Sequence, residues 1–273
     1  CEFCFYKDYR KDFPVNMKFS DFVQIASGLN VVGVKSITFT GGGEPTMHPD
    51  FNKMVQYARL HFEVGLITNG ILLDKVENID AFKFIRISLD AYDRSSYIDI
   101  KGKDYFNRVI DNIKWVSDND LAQSLGVSYV VCDRNKKGMD KIKQELEPYV
   151  DYIQFKPVIG KSGIYREYKV KADKKTVDTQ RCKADSMLPC QIAGLVGVIG
   201  ANRQMYYCCQ HRGNPMYSIG DLGMLDFFYV WSNRDSIVPV VEKCPQCRYM
   251  GYAQQYGEMS KLDKLFMKHR NFL

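Results

Sequence analysis

The chain has 273 residues and a mass of 31.5 kDa, with 45% hydrophobic and 26% charged residues. That composition supports a real core and excludes a disordered or collagen-like chain; at about 150 residues per domain it suggests one large domain, or one plus a small annex. The net charge of +6 is mild and spread along the chain, which fits a basic cleft for an anionic ligand and falls short of a nucleic-acid footprint.

No apolar run approaches the roughly 18 residues of a membrane span. The opening residues are polar and charged, unlike a signal peptide. Both point to a cytoplasmic protein without a membrane partner. The first residue is Cys1, already inside a Cys-x-x-Cys, so the expectation is a fragment whose start is missing. There are nine cysteines, including a close pair and an adjacent pair, and this odd number suits a disulfide framework poorly. Metal or iron–sulfur ligation in a reducing compartment is the better expectation.

In chain order, Ser36–Thr40 predicts a short strand ending in a glycine run. His48–Arg59 has helical spacing, with Phe51, Met54, Val55 and Ala58 on one face. Val64–Thr68 predicts a strand ending at Asn69-Gly70, and Phe84–Ser88 another ending at Asp90. Phe106–Val116 is an amphipathic helix, Val127–Val131 a strand, Met139–Tyr149 a helix and Tyr152–Pro157 a strand. Repeated βα units imply a parallel sheet or barrel with right-handed crossovers and its site at the strands' C-terminal ends. Beyond Pro157 the rhythm breaks. A lysine-rich stretch leads to an expected hairpin (Ile192–Ile199 with Gln204–Cys208), a short helix near Leu225–Arg234 and a cysteine knuckle at Cys244–Cys247. Six of the nine cysteines lie in this last part.

Two N-terminal motifs carry chemistry. Cys1-Glu2-Phe3-Cys4-Phe5-Tyr6 offers thiolates, soft ligands suited to zinc or iron–sulfur clusters; alone it is also consistent with half a zinc knuckle or a redox pair. Thr40-Gly41-Gly42-Gly43-Glu44-Pro45 stands at a strand end, where glycines admit a ligand close to the backbone and Glu44 offers an acceptor for an ammonium. A plain strand-to-helix turn is the alternative. It is not a phosphate loop, because no Gly-Lys-Ser/Thr follows.

In this order the two motifs resemble the radical S-adenosylmethionine (SAM) superfamily, whose hallmark is Cys-x-x-x-Cys-x-aromatic-Cys followed by Gly-Gly-Glu at the end of the second strand. Cys1 and Cys4 match the second and third cysteines. The first would lie four residues before Cys1, outside the chain, as would the first strand. The resemblance covers nearly the whole chain and implies a partial (β/α)6 TIM-like barrel. It implies a [4Fe–4S] cluster that binds S-adenosyl-L-methionine and reductively cleaves it to a 5′-deoxyadenosyl radical. It further implies that Gly42, Gly43 and Glu44 receive the methionine ammonium, that Ser88 contacts the carboxylate or ribose, and that Phe3 and Tyr6 lie near the adenine. Asn69 and Asp90 join this set with a strand-end cap as the equal alternative.

By the same resemblance, Cys190, Met205–Cys209, Ile219–Leu222, Trp231–Asn233 and Cys244–Cys247 look like a twitch domain, the shortened SPASM domain that holds one auxiliary [4Fe–4S] cluster. Cys190, Cys208, Cys244 and Cys247 are its expected ligands. A structural zinc site uses the same thiolates, and ligands alone do not decide between the metals. Cys132 reads as a packed or barrel-mouth thiol, and Cys182 as an alternative to Cys190. Adjacent strand residues point to opposite faces, so Cys209 is separated from Cys208 and could face substrate as a hydrogen donor. The basic stretch 156–183 reads as a solvated linker, and His48, His61, His211 and His269 show no ligand spacing.

The expected organisation is residues 1–160 as the radical SAM core and 161–273 as linker and twitch domain. The expected substrate is a peptide or an amino sugar or aminocyclitol, modified by epimerisation, dehydrogenation or cross-linking, with flavodoxin or ferredoxin as the reductase. A tRNA-modifying radical SAM enzyme and a non-catalytic zinc-binding module are the alternatives.

Overall fold

The structure is a computed structural model that describes residues 4, 14–157, 196–209 and 212–233. The chain divides into two compact units: Cys1–Tyr6 with Ile37–Asp178, and Lys7–Ser36 with Thr179–Leu273.

The first unit is built on a five-stranded sheet in sequential order: β1 (Ser36–Thr40), β2 (Glu63–Thr68), β3 (Phe82–Ser88), β4 (Leu125–Val131) and β5 (Tyr152–Pro157). β2 to β5 pair in parallel. Helices α2 (Phe51–Ala58), α3 (Arg94–Lys101), α4 (Phe106–Asp118) and α5 (Met139–Leu146) lie in the crossovers. Sequential order with crossovers of one hand puts every helix on the same face and leaves the other as the inner face of a partial barrel. The helix-side layer is apolar: Val64, Leu66, Ile85, Ile87, Val127, Tyr129, Ile153 and Phe155 are all buried. Against them the helices set Met54, Val55, Val109, Ile113, Ile142 and Leu146. The period-2 and period-3.6 patterns thus meet in one core.

The expected strands and helices form with shifted ends. β2, β3 and β4 begin one or two residues earlier than expected, and α2 and α5 are shorter. Helix α3 lacked a long apolar stripe in the sequence, and local chemistry sets it. Asp93 Oδ1 accepts from the Ser96 amide at 2.8 Å, the Ser96 hydroxyl returns to the Asp93 amide at 3.1 Å, and Gly102 ends the helix at φ +77°. Tyr97 and Ile100 then anchor it.

In the second unit, α1 (Phe19–Val31) packs on α6 (Phe227–Ser232), with the Gly28 backbone close to Phe227. Beside them is a three-stranded antiparallel sheet of β6 (Val198–Ile199), β7 (Gln204–Tyr206) and β8 (Ser218–Asp221). Arg203 ties the layers together, lying 3.9 Å from Asp21 and 3.8 Å from Asp221. This grouping places α1 with the C-terminal residues, whereas the expected boundary near residue 160 kept it with the N-terminal ones. The expected hairpin forms with shorter strands. β7 stops at Tyr206 after a register shift against β8, so the alternation argument does not reach Cys208 and Cys209.

Burial works upward on the Asp93 carboxyl, but the Ser96 hydrogen bonds and the charges of Lys141 and Lys137 outweigh it and hold the group below its ordinary value of 3.8. A depressed folded-state pKa adds stability above the unfolded value, and that stability disappears as pH falls through the folded one. Asp93→Ala is therefore expected to lower unfolding stability by about 1 kcal/mol at neutral pH. In urea unfolding series at several pH values, the gap between variant and parent should shrink below pH 3.8.

Candidate functional site at the strand ends

Glu44 stands where β1 gives way to a 3-10 turn, Pro45–Met47, which it caps. Its Oε1 accepts from the Thr46 amide at 3.2 Å, the Thr46 hydroxyl at 2.8 Å and the Thr68 hydroxyl at 2.6 Å. Its Oε2 accepts from the Asn69 amide at 2.7 Å. The carboxylate thus joins the end of β1 to the end of β2. Oε1 is fully engaged, whereas Oε2 has one internal donor and keeps a lone pair for another. Ahead of it the chain doubles back so tightly that a Cβ on Gly41 would lie 2.1 Å from the Gly43 carbonyl oxygen. The sequence reading named Gly42 and Gly43; Gly41 is the residue that sterics require.

Asn69 uses its Oδ1 to accept from the Ile71 amide at 2.9 Å, an Asx turn closing the end of β2. Gly70 follows at φ +79°, where a Cβ would come within 2.8 Å of Ile87. Gly70 donates to the Thr68 hydroxyl at 3.1 Å, and its carbonyl accepts from Asn112 at 2.7 Å. Thr68 and Asn112 escaped the sequence reading, since an isolated polar residue in a strand or helix carries no motif.

Ser88 ends β3 beside Ser128 of β4. Asp90, buried and at φ +58°, is committed to the fold. Its Oδ1 accepts from the Val130 amide at 2.7 Å, and its Oδ2 pairs with Lys101. Lys101 also donates to the Ser88 carbonyl at 3.1 Å. Fully buried Asn135 donates to the carbonyls of Asp90 and Val130, both at 2.8 Å, and accepts from the Cys132 amide at 2.7 Å. The Tyr129 hydroxyl donates to the Asn135 carbonyl at 3.0 Å, and burial together with the Asp90 charge pushes its pKa far up, so it stays a donor. Asp90 thereby takes the strand-end clamp weighed for it in the sequence. Lys101 and Asn135 were missed because they lie far along the chain.

Cys4 is half-buried. Cys208 is half-buried and Cys209 buried, both in the second unit. Cys1, Phe3, Tyr6, Cys190, Cys244 and Cys247 lie outside the described residues, as do Cys182 and His211. Among the described residues no three His, Cys, Asp or Glu side chains converge on a metal position, and no helix is long and apolar enough to cross a membrane.

A single-wound parallel sheet with an anchored carboxylate at its carboxyl ends is consistent with a partial α/β barrel, a class of domain that places its ligand sites at those ends. Residues 1–146 match the radical SAM superfamily, and the chain belongs to it. It is 28% identical to the "Probable GTP 3',8-cyclase" of Saccharolobus solfataricus over 204 residues, 62% of this chain and 66% of that one. To the "GTP 3',8-cyclase" of Staphylococcus saprophyticus it is 32% identical over 170 residues, 58% of this chain and 48% of that one. The chain thus spans under two thirds of the length of either. Among solved structures it is similar to BtrN in complex with AdoMet and 2-DOIA, at 13% identity and a TM-score of 0.41, covering 85% of this chain and 79% of that one.

Membership in the superfamily implies a [4Fe–4S] cluster and SAM. The described residues fit the amino-acid end of SAM in their chemistry: Glu44 is a carboxylate beside a glycine turn, and its Oε2 has a single internal donor and accepts from an ammonium. Cys4 is the described member of the thiol pair that would hold the cluster. Glu44→Gln places an amide where Oε2 now accepts from Asn69, and is expected to weaken SAM binding by roughly tenfold or more in equilibrium dialysis. Thr68→Val leaves the charge in place and removes one of the three donors to Glu44 Oε1, so a smaller loss is expected. Equal affinity for parent and Glu44→Gln would remove Glu44 from the ligand site.

Proposed function

We propose that this chain forms the catalytic part of a radical SAM enzyme that removes hydrogen from an unactivated C–H position. Its substrate is a small molecule of the amino-sugar or aminocyclitol kind, or a peptide, and the outcome is epimerisation, dehydrogenation or cross-linking. The observation that carries this reading is the Glu44 carboxylate, pinned by four hydrogen bonds of which only one falls on Oε2, beside the glycine turn.

When bound, the cluster and SAM supply the hydrogen-abstracting 5′-deoxyadenosyl group. The chain's own residues hold and orient. Cys1 and Cys4 provide thiolates to the cluster, and Glu44 with Gly42 and Gly43 receives the methionine ammonium. Ser88 meets the carboxylate or ribose of SAM, and Phe3 and Tyr6 border its adenine. The Asn69 side-chain amide, whose oxygen is already engaged, has N–H groups left for the same ligand. The lower part of the chain holds an auxiliary cluster on Cys190, Cys208, Cys244 and Cys247. Cys209 is the candidate thiol for returning hydrogen, and a flavodoxin or ferredoxin delivers the electron.

A second reading, a nucleotide substrate, is favoured by the names of the curated relatives, both GTP 3',8-cyclases.

The test uses the full-length protein reconstituted without oxygen. Iron per chain and 5′-deoxyadenosine formed under strong reduction are measured together. About eight irons, four per cubane cluster, with 5′-deoxyadenosine is the expected result. About four irons with 5′-deoxyadenosine would remove the auxiliary cluster. Zinc without 5′-deoxyadenosine would overturn the whole reading.

A further inference from the structure

The inner face of the sheet holds polar side chains whose hydrogen bonds the fold does not complete. Strand alternation places Phe84, Arg86 and Ser88 of β3, Gly126 and Ser128 of β4, and Tyr152 and Gln154 of β5 on this face, opposite the helices. The register sets Ser88, Ser128 and Gln154 side by side, with Arg86 one step below, paired with Gly126. Gln154 is 3% exposed, and its Oε1 has no hydrogen-bond partner. The Arg86 Nε is also buried without a partner, and among the described residues no carboxylate lies within ion-pair distance of its guanidinium. Ser128 between them is 7% exposed.

Below this row the space is closed. A Cβ on Gly65 would lie 2.3 Å from the Phe84 ring, and one on Gly126 would lie 2.1 Å from the Tyr152 ring, so both rings lie across glycines and form a floor. Above, the row continues towards Asn69, whose amide is held by Glu44. Thr68 pairs with Ile87, so Asn69 stands beside Ser88.

Arg86 is half-buried with its Nε enclosed and unpartnered, and a buried amide oxygen without a donor, as on Gln154, opposes folding. Folds keep such groups where a ligand completes them. We infer that Arg86, Ser128 and Gln154 form the substrate subsite of this domain and that it takes a small anionic polyol. The phosphate or carboxylate seats on the Arg86 fork, which is suited to paired oxygens. A neighbouring hydroxyl lies against Gln154 and Ser128; because it both donates and accepts, it satisfies the amide. The aromatic floor limits depth and favours a small molecule over a protein segment. This assignment deepens the radical SAM reading and rests on it for the reaction, whereas the anion subsite itself is measurable without turnover.

The test is calorimetry on the full-length reconstituted protein with SAM present, using ribose 5-phosphate, glucuronate and neutral ribose as probes. Binding of ribose 5-phosphate or glucuronate, and at least tenfold weaker binding of ribose, is expected. A response to one anion alone identifies phosphate or carboxylate as the ligand group. Arg86→Met and Gln154→Leu should each weaken the anion at least tenfold while SAM affinity stays within twofold of the parent. The inference is overturned if neither anion binds, if Arg86→Met and Gln154→Leu bind it as the parent does, or if SAM affinity falls in step with it. Failure of the radical reading appears separately, as absence of 5′-deoxyadenosine with anion binding intact.

Discussion

The Glu44 carboxylate is the point on which the strand mouth depends. Parallel strands end in unpaired backbone groups, and a ligand site there needs neighbouring ends held in fixed relation. Glu44 does this by accepting from one side chain and one backbone amide on each side of the gap between β1 and β2. Hydrogen bonds to a charged acceptor contribute about 1.5–3 kcal/mol each, against about 1 for neutral pairs. The charge that positions the loop is also the charge that attracts a cation, so fold and recognition share one group.

A second carboxylate solves the same problem between β3 and β4 with the opposite result. Asp90 accepts from Val130, is neutralised by Lys101, and has Asn135 bridging its carbonyl to that of Val130. Lys101 is itself turned back onto the Ser88 carbonyl. Buried and neutralised by Lys101, the Asp90 carboxylate is spent within the fold. This buried pair is stable because each partner has further hydrogen bonds; an isolated pair would repay its desolvation poorly. One strand junction is thus kept electrostatically available and its neighbour closed.

From sequence the two carboxylates look alike: each follows a strand and each sits near a glycine or serine. What separates them is whether a lysine at the far end of the following helix reaches back, as Lys101 does, and no short motif carries that information. The repeating βα architecture was legible because periodicity is local, and Phe51, Met54, Val55 and Ala58 were assigned to the buried face that they occupy. Helix α3 was not, because its signal is the exchange between Asp93 and Ser96 and the glycine at its end rather than an apolar stripe. The expected strand through Cys208 ends at Tyr206 for a related reason: the register against β8 shifts there, and only the pairing reveals it.

The inner face shows the same limit at the level of the substrate. In the sequence, Phe84-Ile85-Arg86-Ile87-Ser88 reads as an ordinary amphipathic strand with its polar side in water. On the inner face Gln154 is instead buried, and its Oε1 and the Nε of half-buried Arg86 are enclosed without a partner. Alternation gives the direction of a side chain; curvature of the sheet decides what it meets. A chain could satisfy these positions with apolar residues and gain stability, as the helix-side face does throughout. Keeping a guanidinium and an amide there makes sense when a ligand completes them, at the same strand ends where Glu44 keeps an oxygen available.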